Sequence, residues 1–364
     1  MLQSMTPATF FSADYFEARD KFLRAAARRA LKVVSHVHPH AKGPGGEDLY
    51  VDVATWGAQS ATSAMLAISG THGVEGYAGS AVQIGWLSNL IHWPEDQKLI
   101  LIHALNPYGF AWNRRVTEDN VDLNRNFVDH AQPYPPNKDY EGLKDAIAPA
   151  NLEPETLEAS SKALRGYARE HGAFAMQETI SKGQYTHPGG MYYGGTQEQW
   201  SVGLFRHIVR REMAHCRRAA VIDIHTGLGA YGDAELISEE STSSPAYARA
   251  RHWWGGTVQS TVSGDSVSAQ VSGSLDSSVP ALLSHAEATM ICLEYGTYST
   301  LEVFQALRAD NWLNTKGDPA SPAAKEIKAQ VRRAFYPDQD DWKEMVWKRG
   351  ENVLAQAVAG LSAD

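Results

Sequence analysis

Four short apolar runs punctuate the chain: AMLAISG (64–70), KLILIHALNP (98–107), AAVIDIHTG (219–227) and TMICLEYGT (289–297). Each is leucine-rich or β-branched and closes at Gly, Pro or Asn. Continuous apolar runs of this length predict strands buried on both faces of a sheet. Two further segments, VVSHVHP (33–39) and LYVDVATWG (49–57), alternate apolar and polar residues around the turn-forming KGPGGED. They read as strands too. Helical spacing appears over 15–31, where Phe16, Phe22, Leu23 and Ala27 recur, and over about 77–90, 198–214, 246–254, 301–313, 322–335 and 341–361. Strands alternating with helices predict an α/β fold on a mixed, mostly parallel sheet.

Two stretches break the pattern. Residues 129–197 begin with the proline-rich DHAQPYPPNKDYEG, continue as a polar helical segment and end in GQYTHPGGMYYGG. They lack the apolar periodicity of an independent core and read as an insertion or lid. Residues 255–280 are Ser- and Gly-rich, the composition of a mobile loop with short strands. Residues from about 320 to 364 form a helical C-terminal tail. The 364 residues suffice for one large α/β domain or two smaller ones; with 129–197 as an insertion, 1–364 is expected to be a single domain.

Composition narrows the function classes. The chain is 43% hydrophobic and 21% charged, with 33 basic and 42 acidic residues and a net charge of −9. The basic residues form no stripe or tail, which argues against nucleic acid as a partner. Cys216 and Cys292 are the only cysteines, too few for a disulfide framework. No apolar run reaches membrane-spanning length, and MLQSMTPATFF lacks a basic segment followed by an apolar one. A cytoplasmic protein acting on a small molecule or short peptide is the expectation, with oligomer formation left open.

Polar residues gather at one end of the apolar runs. His72 follows the first, Asn106 and Pro107 close the second, and His225 and Glu294 close the third and fourth. In open α/β sheets, ligands bind outside the carboxyl ends of the strands. If the runs are neighbours, these groups converge on one mouth. His72 and Glu75, in SGTHGVEGYAGS (69–80), face the same way on a helical turn. They suit either a metal site or a helix start, with Thr71 as cap and Glu75 at the positive end of the dipole. His225 is a third metal ligand or a core histidine bonded to a carbonyl. Asp223, two residues earlier on the same strand face, either orients it or pairs with a cation. His36, His38 and His40 form a rival cluster with no nearby carboxylate and read as surface histidines. Glu294 interrupts an apolar strand, so burial would raise its pKa toward that of a general base; a buried ion pair is the other reading. In NPYGFAWNRRVTEDNVDLNRNF (106–127), Arg114, Arg115 and Arg125 lie among Asn113, Asn120, Asn124 and Asn126. Such arginines grip carboxylates or oxyanions, or pair with Glu118, Asp119 and Asp122.

Together these motifs resemble the zinc carboxypeptidase superfamily and its aspartoacylase and succinylglutamate desuccinylase relatives, and more closely an uncharacterised bacterial branch of that clan. The likeness rests on HxxE at His72 and Glu75, NPxGF at Asn106–Phe110, DLNRNF at 122–127 after Arg115, the histidine His225 and LEYGT around Glu294. The resemblance implies a mixed sheet of about eight strands sandwiched by helices. It implies one zinc ion held by His72, Glu75 and His225, with Glu294 as catalytic glutamate. Arg115 would stabilise the oxyanion, and Asn124 and Arg125 would grip a substrate carboxylate, with Arg114 as a further substrate contact. The activity implied is hydrolysis of a peptide or N-acyl amide bond in a small carboxylate-bearing substrate. The alternatives are a strict peptide carboxypeptidase and a carboxylate-binding module without turnover. Digestive carboxypeptidases carry a mobile substrate-gripping tyrosine upstream of the glutamate, but no tyrosine lies between Tyr247 and Glu294. Tyr192, Tyr193 or Tyr298 would substitute, and Tyr193 is expected among the substrate contacts. Asp276 is similar to an acidic residue of the family's specificity loop.

Overall fold

A computed structural model describes residues 6–90 and 92–362. Its centre is an eight-stranded mixed sheet. The strands are β1 (Lys32–Lys42), β2 (Asp48–Trp56), β3 (Ser63–Ser69), β4 (Gln97–His103), β5 (Arg218–Tyr231), β6 (Ala234–Ser238), β7 (Val258–Ser260) and β8 (Glu287–Gly296). Their spatial order is β1-β2-β4-β3-β5-β8-β6-β7. Strands β4, β3, β5 and β8 run parallel. The β1–β2, β2–β4 and β8–β6 pairs are antiparallel.

The period of two along each strand sends side chains into two separate cores. Met65, Ala67, Leu99, Leu101, Ala220 and Ile222 pack under helices Tyr15–Arg28, Gly76–Asn89 and Asp340–Ser362. Their neighbours Ala64, Leu66, Ile68, Ile100, Ile102 and Val221 pack on the other face, with Val202 and Phe205 of Trp200–Glu212 and Val279 of Leu275–Leu282. Helices therefore cover both faces, as continuous apolar runs require. Helix Asp340–Ser362 is more than a tail: Trp342, Val346, Val353 and Leu354 are buried in the first core.

The sequence pattern does not mark β6, whereas β7 is one of the short strands expected in the Ser/Gly-rich stretch. AELIS forms β6 immediately after the turn at Gly232, and VQS, inside the Ser/Gly-rich stretch, forms β7. Both are short, and neither carries a run long enough to show a period. β1 also extends past Pro39, with an irregular register between Val37 and Lys42, since proline has no N–H for the ladder. Residues 129–197 fold into helices Lys138–Ile147, Pro154–His171 and Ala173–Ser181. Their Tyr140, Ile147 and Leu164 belong to the same core as the sheet. No helix among the described residues is long and apolar enough to cross a membrane.

Register places the chemistry. Ser69 of β3 lies beside Ile224 of β5, and His225 lies beside Glu294 of β8. The loop after β3 is locked to the loop after β4 by Gly73 N–H to Arg115 O at 3.1 Å, Val74 N–H to Arg114 O at 2.9 Å and Asn106 N–H to Gly70 O at 2.8 Å. Gly73 is needed here for closeness: a Cβ on it would stand 2.1 Å from the carbonyl carbon of Gly109. Backbone cannot yield as a side-chain tip can. Gly73→Ala is therefore expected to destabilise the protein by about 3 kcal/mol or more in urea unfolding. Gly142→Ala, mid-helix with nothing within 4 Å of the new Cβ, should be neutral or stabilise by up to about 1 kcal/mol.

Candidate metal centre

His72, Glu75 and His225 converge just past the carboxyl end of β3, where its pairing with β5 stops at Ile224. They are 3%, 1% and 2% exposed, too buried for polar groups to be there without partners. His72 Nδ1 stands 2.9 Å from Glu75 Oε1, and His225 Nδ1 stands 2.9 Å from Glu75 Oε2. The two Nδ1 atoms are 3.1 Å apart. Ligand atoms on a tetrahedral ion with bonds of 2.0–2.1 Å would be roughly 3.3 Å apart, so the three groups fit one small divalent cation. They are the one such cluster of His, Cys, Asp or Glu among the described residues. The rival histidines do not assemble: His38 pairs with Glu118 at 3.1 Å and takes Ala41 N–H on Nδ1 at 2.9 Å.

A second ring of groups aims the first. His72 Nε2 meets Asp122 Oδ1 at 3.0 Å, and His225 Nε2 meets Asp223 Oδ2 at 2.7 Å. These bonds assign the proton to each Nε2 and turn both Nδ1 lone pairs to the same point. Thr71 Oγ1 holds the other oxygen of Asp223 at 2.8 Å, so Thr71 braces the site and does not cap a helix. Arg115 donates from Nη1 to Glu75 at 2.9 Å and from Nε to Asp122 at 3.1 Å. Burial opposes ionisation of Glu75, yet His72 and His225 hold its carboxyl well below the usual range. Burial likewise opposes the Asp122 charge, and Arg115 and His72 overcome it.

Glu294 has a different environment. It is 7% exposed and accepts Leu228 N–H at 2.9 Å, across the irregular stretch of β5 after Thr226. Burial, reinforced by the Glu75 charge, pushes its carboxyl up to about 8. Two carboxylates of one site thus have opposite proton affinities, the pattern of a ligand beside an acid–base group.

A cavity of about 710 Å³ opens on this cluster, lined by His72, Arg115, Asn124, Arg125, His225 and Glu294 among others. Asn124 takes Leu275 N–H on Oδ1 at 2.7 Å. Arg125 is anchored by Nε to Ser181 O at 2.9 Å and Nη1 to Asn124 O at 2.7 Å. Tyr192 also lines the cavity, with its ring 5.6 Å from the Arg115 guanidinium and 5.7 Å from that of Arg125.

A match to the family DUF2817, described as a protein of unknown function, spans residues 11–349. The chain belongs to this family. No curated protein matches it. Solved structures similar to this DUF2817 member include bovine thrombin-activatable fibrinolysis inhibitor in complex with tick carboxypeptidase inhibitor, at 12% identity over 93% of this chain and 98% of that one, with a TM-score of 0.45. They also include the succinylglutamate desuccinylase from Chromobacterium violaceum, at 15% identity over 83% and 74% of the two chains, TM-score 0.39. An aspartoacylase family protein from Mesorhizobium loti is similar at 13% identity over 78% and 67%, TM-score 0.36. At these scores the likeness is one of outline, and the chemistry is carried by the residues.

Two expected substrate contacts stand elsewhere in the DUF2817 chain. Arg114 lies outside the cavity, with Nε on Asp310 at 3.0 Å and Nη2 on Asn120 at 2.9 Å. It ties the arginine loop to helix Thr300–Thr315, and its neighbour Arg115 points the other way. Tyr193 is buried beside the cavity, and its carbonyl takes Asp122 N–H at 2.8 Å; Tyr192 faces inward instead. In sequence, Asp122 is visible only as an ion-pair partner for arginines. Glu239 gives no signal there, yet it lines the cavity beside Asp276, bonded to Ser274 Oγ at 2.6 Å. Burial and the Glu239 charge push the Asp276 carboxyl well above the usual range.

Metal analysis of the purified protein should find one divalent ion per chain, lost in His72→Ala and His225→Ala. Asp223→Asn should keep the fold and weaken metal affinity by about 10–100-fold. Arg114→Met should lower stability by roughly 3 kcal/mol, because it strips one partner from a buried carboxylate, while leaving the metal content unchanged.

Proposed function

We propose that this protein is a zinc-dependent hydrolase that cleaves an amide bond, peptide or N-acyl, in a small substrate bearing a carboxylate. The observation that carries the reading is the pairing of an open three-ligand His/Glu/His cluster with a protonatable Glu294 on the adjacent strand. A structural zinc site is closed by four protein ligands, whereas a hydrolytic site keeps a position open. No fourth ligand joins the cluster among the described residues. When bound, zinc supplies a Lewis acid for the scissile carbonyl and acidifies water.

The chain's own groups account for the remaining work. Glu294 takes a proton from the attacking water and returns it to the leaving amine. Its backbone bond to Leu228 fixes one oxygen and leaves Oε2 for that exchange. Arg115 is held by Glu75 and Asp122 through Nη1 and Nε. Its Nη2 has no protein hydrogen bond among the described residues and is available to a developing oxyanion. Asn124 and Arg125 hold the substrate carboxylate, which selects the bond presented to the water. The helices of residues 129–197 wall the cavity with Leu164, Met176 and Ile180, which favours small or acylated substrates over long peptides.

Glu294→Gln separates binding from catalysis. It should retain the metal and lose turnover by about 10²–10⁴-fold on whichever dipeptide or N-acyl amino acid the wild type cleaves. Full turnover in that variant would remove Glu294 from the reaction. Binding with no turnover across both substrate classes would favour a carboxylate-binding module.

A further inference from the structure

Arg308 is bound unlike the other arginines of the cavity wall. Arg115 rests on two carboxylates. Arg125 rests on the carbonyls of Ser181 and Asn124, and Arg165 on Glu158 at the exposed rim. Arg308 is 4% exposed, and its side chain lines the cavity. Among the described residues its one hydrogen bond to protein, Nη1 to Ala146 O, is 3.4 Å long, beyond the normal range for N–H···O. The ring of Phe304 lies 5.0 Å from the guanidinium. No carboxylate pairs with it among the described residues, and burial alone acts on its charge, in the direction of loss.

A guanidinium offers five donors and does not give up its proton in proteins. A buried cation without a counter-ion is less favourable than an apolar residue of the same volume. The site would be better filled by methionine if packing were its only duty. Val303, Phe304 and Leu307 of the same helix, together with Leu164 and Ala168, give the cavity apolar lining. Such a wall strengthens any charge-assisted bond formed against it.

We propose that Arg308 is an anion-binding residue of this cavity, taking a carboxylate carried on an apolar chain, at a place separate from the Asn124–Arg125 pair. The role rests on reading the cavity as the substrate site. A carboxylate suits it better than a phosphate, because a lone guanidinium balances a single negative charge. The substrate class that follows is an amide bearing an apolar group with its own terminal carboxylate.

Octanoate and octanamide share a chain and differ in charge, so their binding to the metal-loaded full-length protein, measured by calorimetry, isolates the anion. Wild type should prefer octanoate by about ten- to a hundredfold, the worth of one or two hydrogen bonds to a charged group. Arg308→Met and Arg308→Gln should each bring the two affinities together, and either one that folds decides the matter. Arg125→Met should keep the preference. A preference retained in the Arg308 variants, absent from wild type, or lost only in Arg125→Met would overturn the assignment. Turnover plays no part in this measurement. A protein that hydrolyses nothing yet loses the preference in Arg308→Met would sink the hydrolase reading and leave the anion site standing.

Discussion

The need to pair buried charge governs this structure. Glu75, Asp122 and Asp223 are each 1% exposed or less, and water cannot stabilise them there. Hydrogen bonds join them to one guanidinium, Arg115, and to two imidazoles. If both imidazoles are neutral, three carboxylates face one arginine, and two negative charges stay uncompensated. A divalent cation among the two Nδ1 atoms and Glu75 cancels that excess. Without the cation, a proton offsets part of the excess. Burial disfavours the imidazolium of His225, but Asp223 and Glu75 raise its pKa well above the usual histidine value. Metal and proton therefore compete for the same place.

That knot can form only because the sheet delivers its members within bonding distance. Parallel β3 ends opposite Ile224 of β5, and one residue further on His225 and Glu294 are cross-strand neighbours. Gly73 lying against Gly109 brings the loop after β4 close enough for Arg115 and Asp122 to reach across. Sheet register and loop contact thus act in series. The first sets the ligands side by side, and the second brings the charges that orient them.

The strand pattern and the ligand cluster are both legible in the sequence because they depend on period and position. Residues buried on two faces must be apolar, so β3, β4, β5 and β8 show as runs, and any polar residue at their carboxyl ends is conspicuous. The loops have no such grammar. Arg114 and Arg115 are chemically alike in sequence, and which one enters the cavity depends on backbone angles. Asn113 and Asn120, flanking them, take left-handed conformations at φ +50° and +60°, which asparagine tolerates better than most residues. The choice between Tyr192 and Tyr193 is hidden for the same reason. Arg308 is hidden differently: it sits on a regular helix, and only its lack of partners sets it apart.

Tyr192 shows how the 129–197 segment is coupled to the chemistry. Its φ of +53° is unfavourable for a large side chain by about 1–3 kcal/mol, so something must hold it. Three successive carbonyls do: Met191 O accepts Tyr140 Oη at 3.0 Å, Tyr192 O accepts Gln184 N–H at 3.2 Å, and Tyr193 O accepts Asp122 N–H at 2.8 Å. The last partner is the carboxylate residue that orients His72. The conformation turns the aromatic ring toward Arg115 and Arg125 together, within the range of cation–π attraction. The segment's backbone thus grips the metal site from outside while its tyrosine covers both guanidiniums from within. A chain feature that looks like an appendage in sequence is therefore part of the wall that sets what the cavity accepts.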